Sequence, residues 1–256
     1  MISSTRIRAA ANAALVHLGL SALVGLATAA LVFGLWFPYP FRNLSGGQEL
    51  FLLLVSVDVV CGPLLTAVLF NTRKSRRELT LDLSLVALVQ LAALVYGVHV
   101  ISQARPVVLA YETDRLVAVS AAQVDPADLG KAPPDFQNLS WSGPVLVGTR
   151  DAKPGETLES VLLSTHGVEP SARPSWWQPY EKNRPQIQQR MKKLADLRAA
   201  RPSAAQAEID AAAAKAGLPV ADLFYVPLTS QKMLDGWIAL LDRDTRIVGY
   251  APVDGF

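Results

Sequence analysis

The stretch Phe51-Leu-Leu-Leu-Val-Ser-Val-Asp-Val-Val-Cys-Gly-Pro-Leu-Leu-Thr-Ala-Val-Leu-Phe70 decides how this chain is read. It belongs to an apolar run, Leu50 to Phe70, with the ~20-residue length a helix needs to cross a ~30 Å hydrocarbon core. Yet it carries Asp58 near its centre. A carboxylate at that depth costs at least ~2.5 kcal/mol on insertion scales and is found facing protein or water, with a role. Two more runs flank it, Ala13 to Phe37 and Leu83 to Ile101, and neither contains Asp, Glu, Lys or Arg. Residues 1–102 are therefore expected to form a membrane domain of three helices, with spans near 13–37, 50–70 and 83–101. Residues 103–256 read as a separate water-soluble domain.

The short loops set the expected orientation. Arg6 and Arg8 precede the first span, and Arg73, Lys74, Arg76 and Arg77 lie between the second and third, whereas the loop between the first two spans holds only Arg42. The positive-inside rule then places the N-terminus and the Arg73 loop in the cytoplasm and everything after Ile101 outside it, in the periplasm of a bacterium. The basic loop is also suited to contact anionic lipid. Trp36, Phe37, Tyr39 and Phe41 cluster where the first span leaves the outer face, as an interfacial aromatic belt would. The first apolar run extends past the length of a signal-peptide core, so an uncleaved anchor is expected.

Depth counting at ~1.5 Å per residue puts Gln90 and Thr28 close to the level of Asp58, as candidates to hydrogen-bond with it; His17 falls nearer the cytoplasmic side. The same polar set is a candidate to meet a polar or cationic group on a partner helix. Gly62-Pro63, one turn after Asp58, is expected to kink the helix and free a backbone carbonyl.

From Gln103 onward there are 17 Lys and Arg against 18 Asp and Glu, so no basic nucleic-acid surface is indicated. The only cysteine, Cys61, lies in the second span, which leaves the soluble half without a disulfide or thiol nucleophile. That half has no phosphate-binding glycine loop, nucleophile elbow or His-Glu-x-x-His, and its single histidine, His166, follows an expected helix end. An enzyme is not expected, nor a cofactor or metal. Trp176 and Trp177 stand out in a proline-rich stretch, either covering the sheet or anchoring a partner.

Periodicity predicts strands at Val107 to Glu112 and Arg115 to Ser120 around a Thr113-Asp114 hairpin, a helical turn at Gln123 to Leu129 and a strand at Pro144 to Thr149. Helices are expected from Lys153 to about Ser164, from Tyr180 to Ala200 and from Ala204 to Ala216. Three strands, Asp222 to Leu228, Gly236 to Asp242 and Arg246 to Ala251, close the chain. The fold class expected is a membrane α-helical bundle followed by an α+β domain with an antiparallel sheet.

Several strings together resemble a known family. They are Leu53-Leu-Val-Ser-Val-Asp-Val-Val-Cys-Gly-Pro-Leu-Leu-Thr, Lys74-Ser-Arg-Arg-Glu-Leu-Thr-Leu-Asp-Leu, Gln90-Leu-Ala-Ala-Leu-Val-Tyr-Gly, Gln103-Ala-Arg-Pro-Val and Glu112-Thr-Asp-Arg. Across about residues 13 to 120 the chain resembles the bacterial type IV pilin accessory proteins, with Cys61 and Leu116 departing from the pattern. The resemblance implies a pilin-specific assembly factor or chaperone of the inner membrane, with the major pilin as partner and no catalytic activity. A membrane-anchored ligand sensor and a pilin- or envelope-modifying enzyme are the competing classes. Oligomeric state is left open.

Overall fold

The computed structural model describes residues 4–156 and 169–256. They divide into two compact units, one of residues 1–36 and 46–103, the other of residues 37–45 and 104–256. The expected helix after Lys153 and His166 lie largely or wholly outside the described residues.

The first unit contains three helices long and apolar enough to cross a membrane, Arg6–Trp36, Gly47–Leu69 and Arg76–Ala104. The first is α1 (Ser4–Leu31), ending in a π-helical turn at Val32–Trp36. The second is α3 (Gly47–Ser56) and α4 (Gly62–Leu69), joined by a π turn at Val57–Cys61. The short helix α2 (Phe41–Leu44) belongs to the other unit. The third span is α5 (Arg76–Ala104). It begins with a reciprocal cap, in which the Ser75 amide donates to Glu78 Oε2 at 2.9 Å and the Glu78 amide to Ser75 Oγ at 3.3 Å. Large apolar side chains such as Leu15, Leu26, Leu85 and Leu88 point outward, 62–68% exposed, as suits helices long and apolar enough to lie in lipid.

In the second unit the sheet order is β4-β3-β1-β2-β6-β7-β8, with β5 paired to β6. The strands are β1 (Pro106–Glu112), β2 (Arg115–Ser120), β3 (Val145–Thr149), β4 (Trp177–Pro179), β5 (Lys192–Lys193), β6 (Phe224–Ser230), β7 (Ile238–Leu241) and β8 (Ile247–Ala251). The β1–β2 hairpin turns at Thr113, whose φ is 58°. The expected antiparallel sheet is corrected to a mixed one, since β1 pairs with β3 and β2 with β6 in parallel. Both parallel pairs are joined by long crossovers, as parallel geometry requires.

Alternate residues of the strands feed different cores. Leu109 and Tyr111 of β1, Val226 and Leu228 of β6, and Ala239 and Leu241 of β7 share one face, covered by Ile187 and Tyr180. Val108 and Ala110 point the other way, toward Val147 and Trp177. Behind β6 and β7, Tyr225, Ile238 and Leu240 pack on α7 (Leu194–Ala200) and α8 (Ser203–Ala216) through Leu197 and Ile209. The expected Tyr180–Ala200 helix is broken: α6 (Arg184–Arg190) stops and Met191 turns extended. Lys192 and Lys193 then pair with Tyr225 and Phe224 on β6, whose ladder hydrogen bonds outweigh continued helix there. The helical turn expected at Gln123 to Leu129 is instead a pair of 3₁₀ turns, Ala121–Gln123 and Leu129–Lys131.

The loop between the first two spans is a second correction. Phe41 and Leu44 are buried in the main β core, 3% and 0% exposed, and Ser230 Oγ donates to the Leu44 carbonyl at 2.7 Å. Phe37 is also fully buried, and Tyr39 lies edge-on to Trp237 with centroids 5.9 Å apart. Phe37 and Phe41, expected in an interfacial aromatic belt, are thus buried in protein, whereas Tyr39 stays 41% exposed. Leu44→Ala is therefore predicted to destabilise the β unit by about 2–5 kcal/mol, seen as a lowered denaturation midpoint of the full-length protein in detergent. The exposed neighbour substitution Asn43→Ala should leave that midpoint unchanged.

Candidate functional site

The polar site of the first unit is built around the interruption in the second span. In the π turn each carbonyl reaches five residues ahead rather than four, which sets the Asp58 carbonyl opposite the Pro63 nitrogen. Proline has no proton to give. An unpaired carbonyl in hydrocarbon costs several kcal/mol, and Gln90 of α5 supplies the missing donor. Its Nε2 lies 3.2 Å from the Asp58 carbonyl oxygen and 3.5 Å from Asp58 Oδ1. This approach needs Gly62, because a Cβ there would collide with the Gln90 carboxamide. A second close approach on the same pair of helices sets Leu54 against Gly97.

Asp58, Gly62 and Thr66 recur every four residues and so share one face of the helix. Thr66 is buried, and its Oγ1 lies 2.6 Å from His17 Nδ1 on the first span. His17 thus belongs to the polar set that depth counting excluded, since it and Asp58 line the same groove. Thr28 does not join the set: it is buried, but its hydroxyl donates to the Val24 carbonyl of its own helix at 2.9 Å. Back-bonding of this kind satisfies a threonine within its own helix. Among the described residues Gln90 is the one hydrogen-bond partner of the Asp58 carboxylate.

The first span packs along the second, while the face between the first and third stays open as a groove of about 660 Å³. Its walls are mostly apolar, including Val16, Leu20, Leu83, Leu91 and Leu94, and its polar groups are Asn12, His17, Ser21, Asp58, Thr66 and Gln90. Asp58 also borders a smaller recess of about 250 Å³ between the second and third spans. Such a site can accept a hydrogen bond or a cation from something seated in the groove, and its walls take apolar side chains.

The second unit answers differently. Trp177 is 2% exposed and donates from Nε1 to the Ser171 carbonyl at 2.8 Å. Trp176 is 4% exposed and lies between the guanidinium groups of Arg150 and Arg173, at 4.7 and 5.1 Å. Both rings are spent inside the domain, as sheet cover. A crevice of about 330 Å³ opens at the carboxyl ends of the parallel strands β1 and β3, lined by Glu112, Arg150, Asn183 and Arg190 among others. Much of its polar lining is already paired internally. Asn183 Nδ2 donates to the Thr149 carbonyl at 2.8 Å, and Arg150 forms a two-point pair with Glu156 at 2.7 and 3.1 Å. Burial pushes the Glu112 carboxyl above its ordinary range, opposed by hydrogen bonds from Ser171 and reinforced by the charge of Glu169.

Of the four basic residues in the second loop, Lys74 folds back. It pairs with Asp82 and donates to the Leu69 carbonyl at 3.3 Å, closing the C-terminal end of α4. Arg73, Arg76 and Arg77 are exposed or nearly so.

A match to the model of the fimbrial assembly protein FimB covers residues 5–46. The chain is 33% identical over 242 residues to the fimbrial assembly protein of serogroup E1 from Dichelobacter nodosus, covering 94% of each chain. The chain belongs to the fimbrial assembly protein family. The serogroup I protein of the same organism is 32% identical over the same length and coverage. The protein of serogroups C1 and C2 is 38% identical over 109 residues, 43% of this chain and 83% of that one. No solved structure matches. For a fimbrial assembly protein, the relationship to the serogroup E1 and I proteins is long enough to span both units.

Two predictions follow from these contacts. Gly62→Ala should destabilise the bundle, and Gln90→Ala introduced with it should relieve most of the loss. A double-mutant cycle on detergent melting is expected to return a coupling of about 0.5–3 kcal/mol between the two positions, and a coupling of zero would contradict the close approach. Glu112 binds its proton more tightly folded than unfolded. Its contribution is thus fully present below the ordinary value of 4.5 and lost as pH rises through its raised folded value. Glu112→Gln should flatten this part of the stability–pH profile and stabilise the domain at neutral pH.

Proposed function

We propose that this fimbrial assembly protein holds a type IV pilin subunit in the inner membrane, its three spans sheltering the apolar helix of the pilin and its β unit, in the periplasm, contacting the pilin head. The observation that carries this reading is the open groove between the first and third spans. Its 660 Å³ is roughly one and a half turns' worth of an α-helix taken as a ~10 Å cylinder with 5.4 Å pitch. Lipid tails fill such a groove only loosely, whereas an apolar helix with one polar group fits both the walls and the floor. The excess of Arg and Lys at the N-terminus and in the Arg73 loop supports an N-terminus in the cytoplasm. The family relationship supports a place in pilus assembly.

Asp58 and Gln90 act in this reading as the polar register mark. A pilin helix that presents a donor at their depth is held at one level, and other apolar helices of the membrane gain nothing from the site.

A photo-crosslinking residue at Leu91, in the groove wall, should capture pilin in intact membranes, whereas one at Leu88, which lies outside that wall, should capture it far less. Recovery of no pilin at Leu91, with normal pili in a strain lacking the protein, would sink the proposal. Asp58→Asn should lower the crosslinking yield at Leu91, and an unchanged yield would remove Asp58 from the recognition.

A further inference from the structure

Two loops of the β unit each carry a large, strongly exposed apolar side chain. Trp141, in the segment before β3, is 67% exposed, and Leu234, in the β6–β7 turn, is 72% exposed. Both loops are fastened to the chain at its points of exit from the membrane helices. Arg105 directly follows Ala104, the last residue of the third span; its guanidinium lies 4.6 Å from the Trp141 ring centroid, and its Nε donates to the Ser140 carbonyl at 3.3 Å. The β6–β7 turn starts beside the other exit, where Ser230 Oγ donates to the Leu44 carbonyl at 2.7 Å. Ser45 and Ala104 line one recess of about 290 Å³ together with Gln231 and Lys232, and Ser45 stands two residues before Gly47, where the second span begins.

Chain reach turns these contacts into a depth. Residues 45 and 104 lie within about 7 Å of chain from helices that cross the bilayer, at ~3.3–3.6 Å per residue. Ala104 is three residues, about 4.5 Å of helix, past the last apolar residue of its run. That is the thickness scale of the headgroup layer, ~5–7 Å on each side of the hydrocarbon core. Tryptophan is enriched at this level because its ring is apolar and its N–H polar. Lys232, exposed in the β6–β7 turn, adds a cationic side chain suited to anionic headgroups.

We propose that the loops bearing Trp141 and Leu234 form a lipid-facing rim, which seats the β unit against the membrane surface by inserting these two side chains among the headgroups. The rim has a different partner from the groove: it binds lipid whether or not a pilin is present. It rests only on the three helices crossing the bilayer.

The test uses the full-length protein in phosphatidylethanolamine–phosphatidylglycerol vesicles, spin-labelled at single cysteines. In a Cys61→Ser background, labels are placed by Trp141→Cys, Leu234→Cys and, as a remote control in the β7–β8 turn, Arg243→Cys. Wild-type Cys61, exposed on the second span, is labelled as the membrane reference. Collisions with oxygen, which partitions into lipid, are compared with collisions with a water-soluble nickel chelate. Labels at 141 and 234 should favour oxygen severalfold over the label at 243 and lie between it and Cys61. Labels at 141 and 234 that behave like that at 243 would overturn the rim, as would immersion of only one of them. A Cys61 label open to the chelate would refute the membrane reading itself, separately from the rim. Leu234→Cys leaves the Arg105–Trp141 contact untouched, so a folding defect in the Trp141 variant does not remove the test.

Discussion

A backbone carbonyl inside a bilayer has no water to turn to, and the arrangement of the first unit follows from how one such carbonyl is satisfied. The π turn at Val57–Cys61 and the proline behind it strand the Asp58 oxygen. A carboxamide from the third span reaches it only because position 62 has no side chain. These demands hold the second and third helices at a fixed level and rotation. The first span, packed on the second and linked to it by His17 and Thr66, is left with an unfilled face toward the third. The groove is what remains once the polar contacts have been made. Its polar floor is inherited from the repair of the helix rather than added to it.

The β unit has a different economy. Its interior strand β1 is buried on both faces, and its neighbours β2 and β3 lie one antiparallel and one parallel to it. Polar groups in the crevice at the strand ends are largely closed among themselves, and both conspicuous tryptophans serve the interior.

The three spans were legible because apolar length is a one-dimensional property, and so was Gln90 as the partner of Asp58, because depth along a helix can be counted. What could not be counted is rotation about the helix axis. Thr28 is at a suitable depth but bonds to its own helix, and His17 meets Thr66 on a face that no depth estimate reveals. In the β unit, the β1–β2 hairpin and the closing strands were readable from alternation and turn residues. The parallel pairings depend on crossovers distant in sequence and leave no local mark. The two-residue strand β5 hides inside a helical repeat, and β4 begins at Trp177, directly after a proline-rich run.

The segment from Phe37 to Ser45 has a consequence for how the molecule is made. Leu44 reaches its partner Ser230 across 186 positions of sequence. At ~5–20 residues per second of synthesis, a ribosome takes about 10 to 40 s to cover that distance. For most of that interval both flanking helices have been made while the loop joining them waits with Phe41 and Leu44 uncovered. The β core can close only after nearly the whole chain has been delivered. A fragment that starts after the third helix never contains these side chains, so the soluble part cannot be cut free with its core intact. The β core closes only with the last strands to emerge, on a loop already delivered with the first helices.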